Sequence, residues 1–174
     1  ERDFGALVGT NFWNAGAAWK KAFAAGRMDA VIAKFEGLAA AAPNDPKAQM
    51  DLASAYIAYL QMDPSRWQLS GKADQAYDRV LAIDDHHWEA RFSKAVSYTF
   101  YPDFLGKKTD AIAHFQTLVQ QQESMPVEAS QAQTYLYLGN LLEARDPEQA
   151  RQVWAKGAQR HPDNPELKKR LAGQ

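Results

Sequence analysis

Asp84, Asp85, His86 and His87 form the densest group of chemically capable side chains in the sequence. Two carboxylates beside two imidazoles could hold a divalent metal or pass a proton. Their spacing argues against both. Consecutive residues of a turn point apart, whereas a helical zinc site sets two ligands at i and i+4 and draws a third from elsewhere. The four residues are expected to form a solvated turn, with Asp85 capping the helix that follows. His114 and His161 stand alone and are expected on the surface. The chain has no cysteine, which excludes thiol catalysis, disulfides and cysteine-ligated zinc. It has no glycine-rich phosphate loop, nucleophile elbow or paired-carboxylate motif. Nothing here implies a metal, a cofactor or a catalytic residue.

Charge narrows the partners. Twenty Lys and Arg stand against 21 Asp and Glu, a net charge of -1, and a nucleic-acid binder normally carries a basic surplus. Aromatic residues are not interleaved with a basic patch, as single-strand binding would need. Lys168-Lys169-Arg170 reads as favourable charge at a helix end. No apolar run approaches the ~18–20 residues that span a bilayer, so no membrane contact is expected of this piece. At 174 residues and 46% hydrophobic, the chain can bury one continuous core. It begins at Glu1 and not at Met, which leads us to expect a processed fragment with any signal or anchor upstream. Cytoplasm and periplasm both remain open.

The elements are helical throughout, and the stretch Ala132–Pro165 shows them best. Tyr135, Leu138, Gly139 and Leu142 fall at i, i+3, i+4 and i+7, one helical stripe. Asp146-Pro147 restarts the chain, Asp as N-cap and Pro at N1. Ala150, Val153, Trp154, Gly157 and Ala158 make a second stripe. Gly139 costs roughly 1 kcal/mol against Ala in mid-helix, which is explained if Trp154 of a crossing helix needs the space. Pro162 and Asn164-Pro165 close the hairpin and start a short last helix.

Looser copies precede it. Helices are expected over about 11–25, 29–42, 46–61, 72–83, 87–101 and 109–123. A large aromatic recurs in each second helix as Phe35, Tyr77, Phe115 and Trp154, at separations of 42, 38 and 39 residues. Val31, Ala73, Ala111 and Ala150 stand four residues before them, and Leu38, Val80, Leu118 and Gly157 three after. The first helices carry Trp19, Ala53, Ala95 and Gly139, followed three residues on by Ala22, Tyr56, Tyr98 and Leu142. Accidental spacing in a generic bundle would not recur in four units. The two middle units also carry longer internal turns, containing Trp67 and Leu69 in one and Phe104 and Leu105 in the other. These are expected to pack on each other or on the helices, the alternative being a second contact surface along one edge.

Small residue, large aromatic and closing proline in this order resemble the tetratricopeptide (TPR) repeat. The resemblance implies an all-α, right-handed superhelical solenoid of antiparallel hairpins over residues 1–174. Its units lie at about 11–44, 45–86, 87–126 and 127–163, with a capping helix at about 165–172. It implies a concave groove lined by the first helices: Trp13, Lys20 and Phe23; Lys47, Met50, Ser54 and Ile57; Glu89, Phe92, Val96, Thr99 and Phe100; Gln133, Leu136, Asn140 and Glu143. One TPR subclass clamps the terminal carboxylate of a chaperone tail with Lys, Asn and Arg, and only Asn140 matches it here. The apolar groove residues suit an apolar or amphipathic ligand instead, unless they pack between helices. The function so implied is a non-enzymatic module binding a protein or peptide of unknown identity. The alternatives are an assembly or membrane-tethered scaffold using its convex face or loop edge, and an accessory domain of a larger enzyme. The sequence leaves the oligomeric state open.

Overall fold

The computed structural model of the chain describes residues 7 and 16–173. Among these residues all regular structure is helical: α1 (Gly16–Ala24), α2 (Met28–Ala41), α3 (Pro46–Met62), α4 (Gln68–Ile83), α5 (Trp88–Tyr98), α6 (Lys107–Gln122), α7 (Ala132–Leu142), α8 (Pro147–Arg160) and α9 (Pro165–Ala172). The expected start of the first helix, with Phe12 and Ala15, lies outside the described residues. The chain divides into two compact units, 1–90 and 91–174, the boundary falling in the first turn of α5.

Helix starts follow from local chemistry. Asp45, Asp146 and Asn164 each precede a proline at N1, and each side chain accepts from a backbone N–H of the first turn, at 2.9, 3.0 and 3.0 Å. Such a cap contributes about 1 kcal/mol. Two expected boundaries move. α4 begins at Gln68, four residues early, because the turn Pro64–Arg66 runs straight into it. α5 stops at Tyr98, since the Ser97 and Thr99 hydroxyls donate to the carbonyls of Lys94 and Val96 at 2.8 and 2.7 Å and compete with the helix ladder. The helix-five cap also differs from expectation. His87 Nδ1 accepts from Ala90 N–H at 3.3 Å, while Asp84 accepts from His86 N–H within the turn.

In the first unit α3 is packed against α1, α2 and α4, and is buried on almost every side through Leu52, Ala53, Ala55, Tyr56, Ala58 and Tyr59. Alanines there let the neighbouring helices approach. Trp19 and Phe35 lie buried with ring centroids 6.0 Å apart. The buried stripe of α2 is Met28, Ile32, Phe35 and Ala39. Val31, expected on that stripe, packs partly buried against the core, whereas Leu38, also expected there, is exposed. The buried Gln49 amide donates to Ala39 C=O at 3.1 Å, tying α3 to the end of α2. Tyr56 donates to Glu36 at 2.6 Å, and Lys72 reaches the same carboxylate at 3.1 Å. Those two bonds, Tyr56's first, hold the Glu36 carboxyl below its ordinary value.

The second unit turns on two close approaches. A Cβ added to Gly139 would lie 2.1 Å from Trp154 Nε1, and one added to Gly157 would lie 2.6 Å from Tyr135 Cβ. Trp154 and Tyr135 are wholly buried. α9 closes this core with buried Leu167, and Arg170 lies 5.3 Å over the Trp154 ring while pairing with Glu143 at 3.6 Å. Gln122, at the end of α6, donates to Gln131 C=O and Thr134 Oγ1 at 3.1 and 3.2 Å.

Two glycines should therefore respond oppositely to alanine. Gly37→Ala, with nothing within 4 Å of the new Cβ, should stabilise by up to ~1 kcal/mol through helix propensity. Gly139→Ala should destabilise by up to about 2 kcal/mol, since overpacking of about 1–3 kcal/mol outweighs the same propensity gain. Urea unfolding of the two variants checks the opposite signs.

Candidate partner-binding surfaces

In the first unit Lys47 is exposed and paired with Asp51 at 2.7 Å, Phe23 is exposed, and Ile57 is half-buried. Phe23 meets Tyr59 edge to face at 6.4 Å. Met50 and Ser54 are buried. In the second unit Phe92 is half-buried, Phe100 and Asn140 are exposed, and Val96 and Leu136 are buried. Met50, Ser54, Val96 and Leu136 thus pack among helices, as a small rotation of the first helix produces. Lys20, Gln133 and Glu143 are exposed or nearly so, Glu89 and Thr99 half-buried, and Trp13 lies outside the described residues.

Tyr137 escaped the sequence reading. It sits one residue past Leu136, off the expected groove positions, and no periodic signal marks it. Its ring meets Phe92 edge to face at 5.6 Å and stacks on Phe115 at 5.6 Å, so an aromatic trio joins α5, α6 and α7. Phe92 and Tyr137 each keep part of their surface open, beside the exposed amides of Gln133 and Asn140.

Leu69 packs against the first-unit core as expected, whereas the other apolar residues of the longer loops do not. Trp67 is 67% exposed and Phe104 85% exposed, with Phe100 and Leu105 also open. Neither loop is loose. In the first, Asp63 accepts from Ser65 N–H and Oγ–H at 3.1 and 2.6 Å, and Arg66 lies 5.0 Å over Tyr59. In the second, Leu105 N–H donates to Pro102 C=O at 3.0 Å and Gly106 takes φ +68°, a backbone that favours glycine. Tyr101 packs edge to face on Tyr98 at 5.8 Å, and Lys108 pairs with Asp103 at 2.6 Å. The apolar tips are held out by hydrogen bonds and are not folded back.

A shallow depression of about 420 Å³ lies at the other end of the second unit, lined by Glu123, Val127, Tyr135, Lys156, Gln159 and Arg160. Lys156 donates to Glu123, and Arg160 donates to Met125 C=O at 2.7 Å. Burial raises the Tyr135 phenol above its ordinary value, opposed by the Arg160 and Lys156 charges.

The histidines are also placed differently from expectation. His114 is half-buried, with Nδ1 3.3 Å from Arg91 Nη1 and its ring 5.9 Å from Tyr98. His161 is buried against Tyr135 at 5.8 Å. Among the described residues no three His, Asp or Glu side chains are placed to hold a metal ion, and no helix is long and apolar enough to cross a membrane.

No family model matches the chain, and no curated protein matches it. Among solved structures it is similar to TTC0263, a thermophilic TPR protein of Thermus thermophilus. That likeness has a TM-score of 0.62 at 15% identity over 90% of this chain and 77% of that one. It is also similar to MamA, residues 41 to the end, from Desulfovibrio magneticus RS-1. There the TM-score is 0.59 at 16% identity, over 88% of this chain and 77% of that one. The chain has the TPR-type helical repeat fold.

Burial, and then Arg160, push the His161 pKa down. Its folded imidazole therefore stays neutral where the unfolded chain, titrating near 6.5, takes up a proton. Stability should fall as pH drops below about 6.5 and level off below the folded value. Unfolding free energies of wild type and His161→Gln, measured from pH 7.5 to 4.5, should show wild type losing more. A pH-independent difference would contradict this.

Proposed function

We propose that the chain is a non-enzymatic protein-interaction module whose first helices bind an apolar or amphipathic partner segment. The Phe92–Tyr137 pair carries the reading. Two aromatic rings from α5 and α7 meet edge to face, remain partly open, and are flanked by exposed amides at Gln133 and Asn140. An apolar centre with a polar rim is the arrangement that receives the apolar face of a helix. Aromatic centres of this kind supply most of the energy of such contacts. The flank of α7 at this point carries no formal charge between Gln133 and Asn140, which favours a neutral ligand face over an acidic tail. The repeat fold shared with TPR structures supports the same reading, since stacked hairpins leave the first-helix side chains free to vary around a fixed core.

A displayed library of amphipathic peptides tests it. Peptides enriched on wild type should bind Asn140→Arg at least ~10-fold more weakly, about 1.4 kcal/mol. Gln152→Arg, on the exposed side of α8, should bind as wild type does. Equal binding to all three proteins would reject the first-helix site.

A further inference from the structure

α7 carries no charged side chain along its 11 residues, AQTYLYLGNLL. Gln133, Tyr137 and Asn140 fall on it at i, i+4 and i+7, within about 60° around the axis. Both amides are exposed, and among the described residues neither takes part in a hydrogen bond. They stand about 10.5 Å apart along the axis, at a rise of about 1.5 Å per residue. Between them the Tyr137 ring meets Phe92 of α5 edge to face at 5.6 Å, and both rings keep part of their surface open. A single line along α7 therefore runs amide, aromatic pair, amide, with no charge in it.

A segment that touches all three points must run along α7. An extended chain would cover the span with about three residues. Their unpaired backbone N–H and C=O groups would then lie across two rings that leave most of them unsatisfied. An α-helix has already paired its backbone, so only its side chains need partners here. Laid at about 20° to α7, it crosses the same span in about seven residues. Its residues i and i+7 then stand opposite the amides, and i+3 and i+4 opposite the ring pair. Given the first-helix site, on which this depends, we propose that the partner is an amphipathic helix of one pattern. Its docking face bears neutral amides or hydroxyls at i and i+7, and apolar side chains at i+3 and i+4. The pattern reads the same in both chain directions. An amide facing an amide can satisfy donor and acceptor together. A Lys or Glu at either end position would lose part of its hydration and meet no opposite charge on α7.

Three labelled peptides of about 18 residues, long enough to hold some helix in water, test the pattern by fluorescence anisotropy against the whole chain. The first carries Gln at i and i+7 and Leu at i+3 and i+4. The second has Lys at both end positions, which changes helix propensity little. The third has each Gln moved one residue outward, off the docking face. Wild type should bind the first at least ~10-fold more tightly than either of the others. Asn140→Asp should invert the order of the Gln and Lys peptides, because the new carboxylate pairs with an end lysine. Circular dichroism verifies that the variants are folded. A Gln peptide that does not bind, equal binding of all three to wild type, or an unchanged order in Asn140→Asp would each overturn the proposal. If all three bind equally and Asn140→Arg still weakens them, the first-helix site stands and only the pattern is wrong. Asn140→Arg binding them as wild type does would remove the site itself, and the proposal with it.

Discussion

The indole of Trp154 occupies the space a side chain at position 139 would need. Its Nε1 lies 2.1 Å from where a Cβ would stand, so α7 and α8 can cross this closely only because residue 139 is glycine. The reciprocal approach of Tyr135 to Gly157 fixes the same hairpin from the other side. Each contact is large against small, with the pair split between two helices. Packing at interior density leaves no slack at such a crossing. The earlier hairpins use gentler versions, with Tyr77 and Phe115 buried in helices that also carry buried alanines four residues earlier. In the first hairpin the sizes are reversed, and Trp19 fills the space beside Phe35.

Much of this is legible in the sequence because it is local or periodic. The Asp-Pro and Asn-Pro restarts announce helix starts through the geometry of a single residue pair. Gly139 is legible as a cost without a local reason, which points to a crossing partner. The aromatic spacing gives the unit length. Leu38 shows the limit: it sits at the right interval from Phe35, yet α2 turns Ile32 and Ala39 inward and leaves it exposed. A stripe defined by two or three residues tolerates a rotation that only the packed neighbours decide.

Surfaces are less legible than the core. An apolar residue in a loop is equally compatible with a covered and an open position, and hydrophobicity alone favours covering. On that ground Trp67 and Phe104 are expected to pack, whereas short hydrogen-bonded turns hold both outward. His161 departs in the opposite sense, because Tyr135, the residue that packs on it, lies 26 positions earlier in the chain. Four apolar or small groove candidates sink between helices, while Tyr137, which no stripe marks, becomes part of the open aromatic pair with Phe92. The core selects the repeat; the residues left partly open around it determine what the protein can meet.

The last hairpin depends most on the reciprocity of glycine and tryptophan. A double-mutant cycle with Gly139→Ala and Trp154→Leu, followed by urea denaturation, tests it directly. With the indole gone, the added methyl should cost nothing and recover up to ~1 kcal/mol of helix propensity. The coupling between the two sites should therefore equal the overpacking term, about 1–3 kcal/mol. Additive losses, with Gly139→Ala as costly in the Trp154→Leu background as in the wild type, would contradict the account.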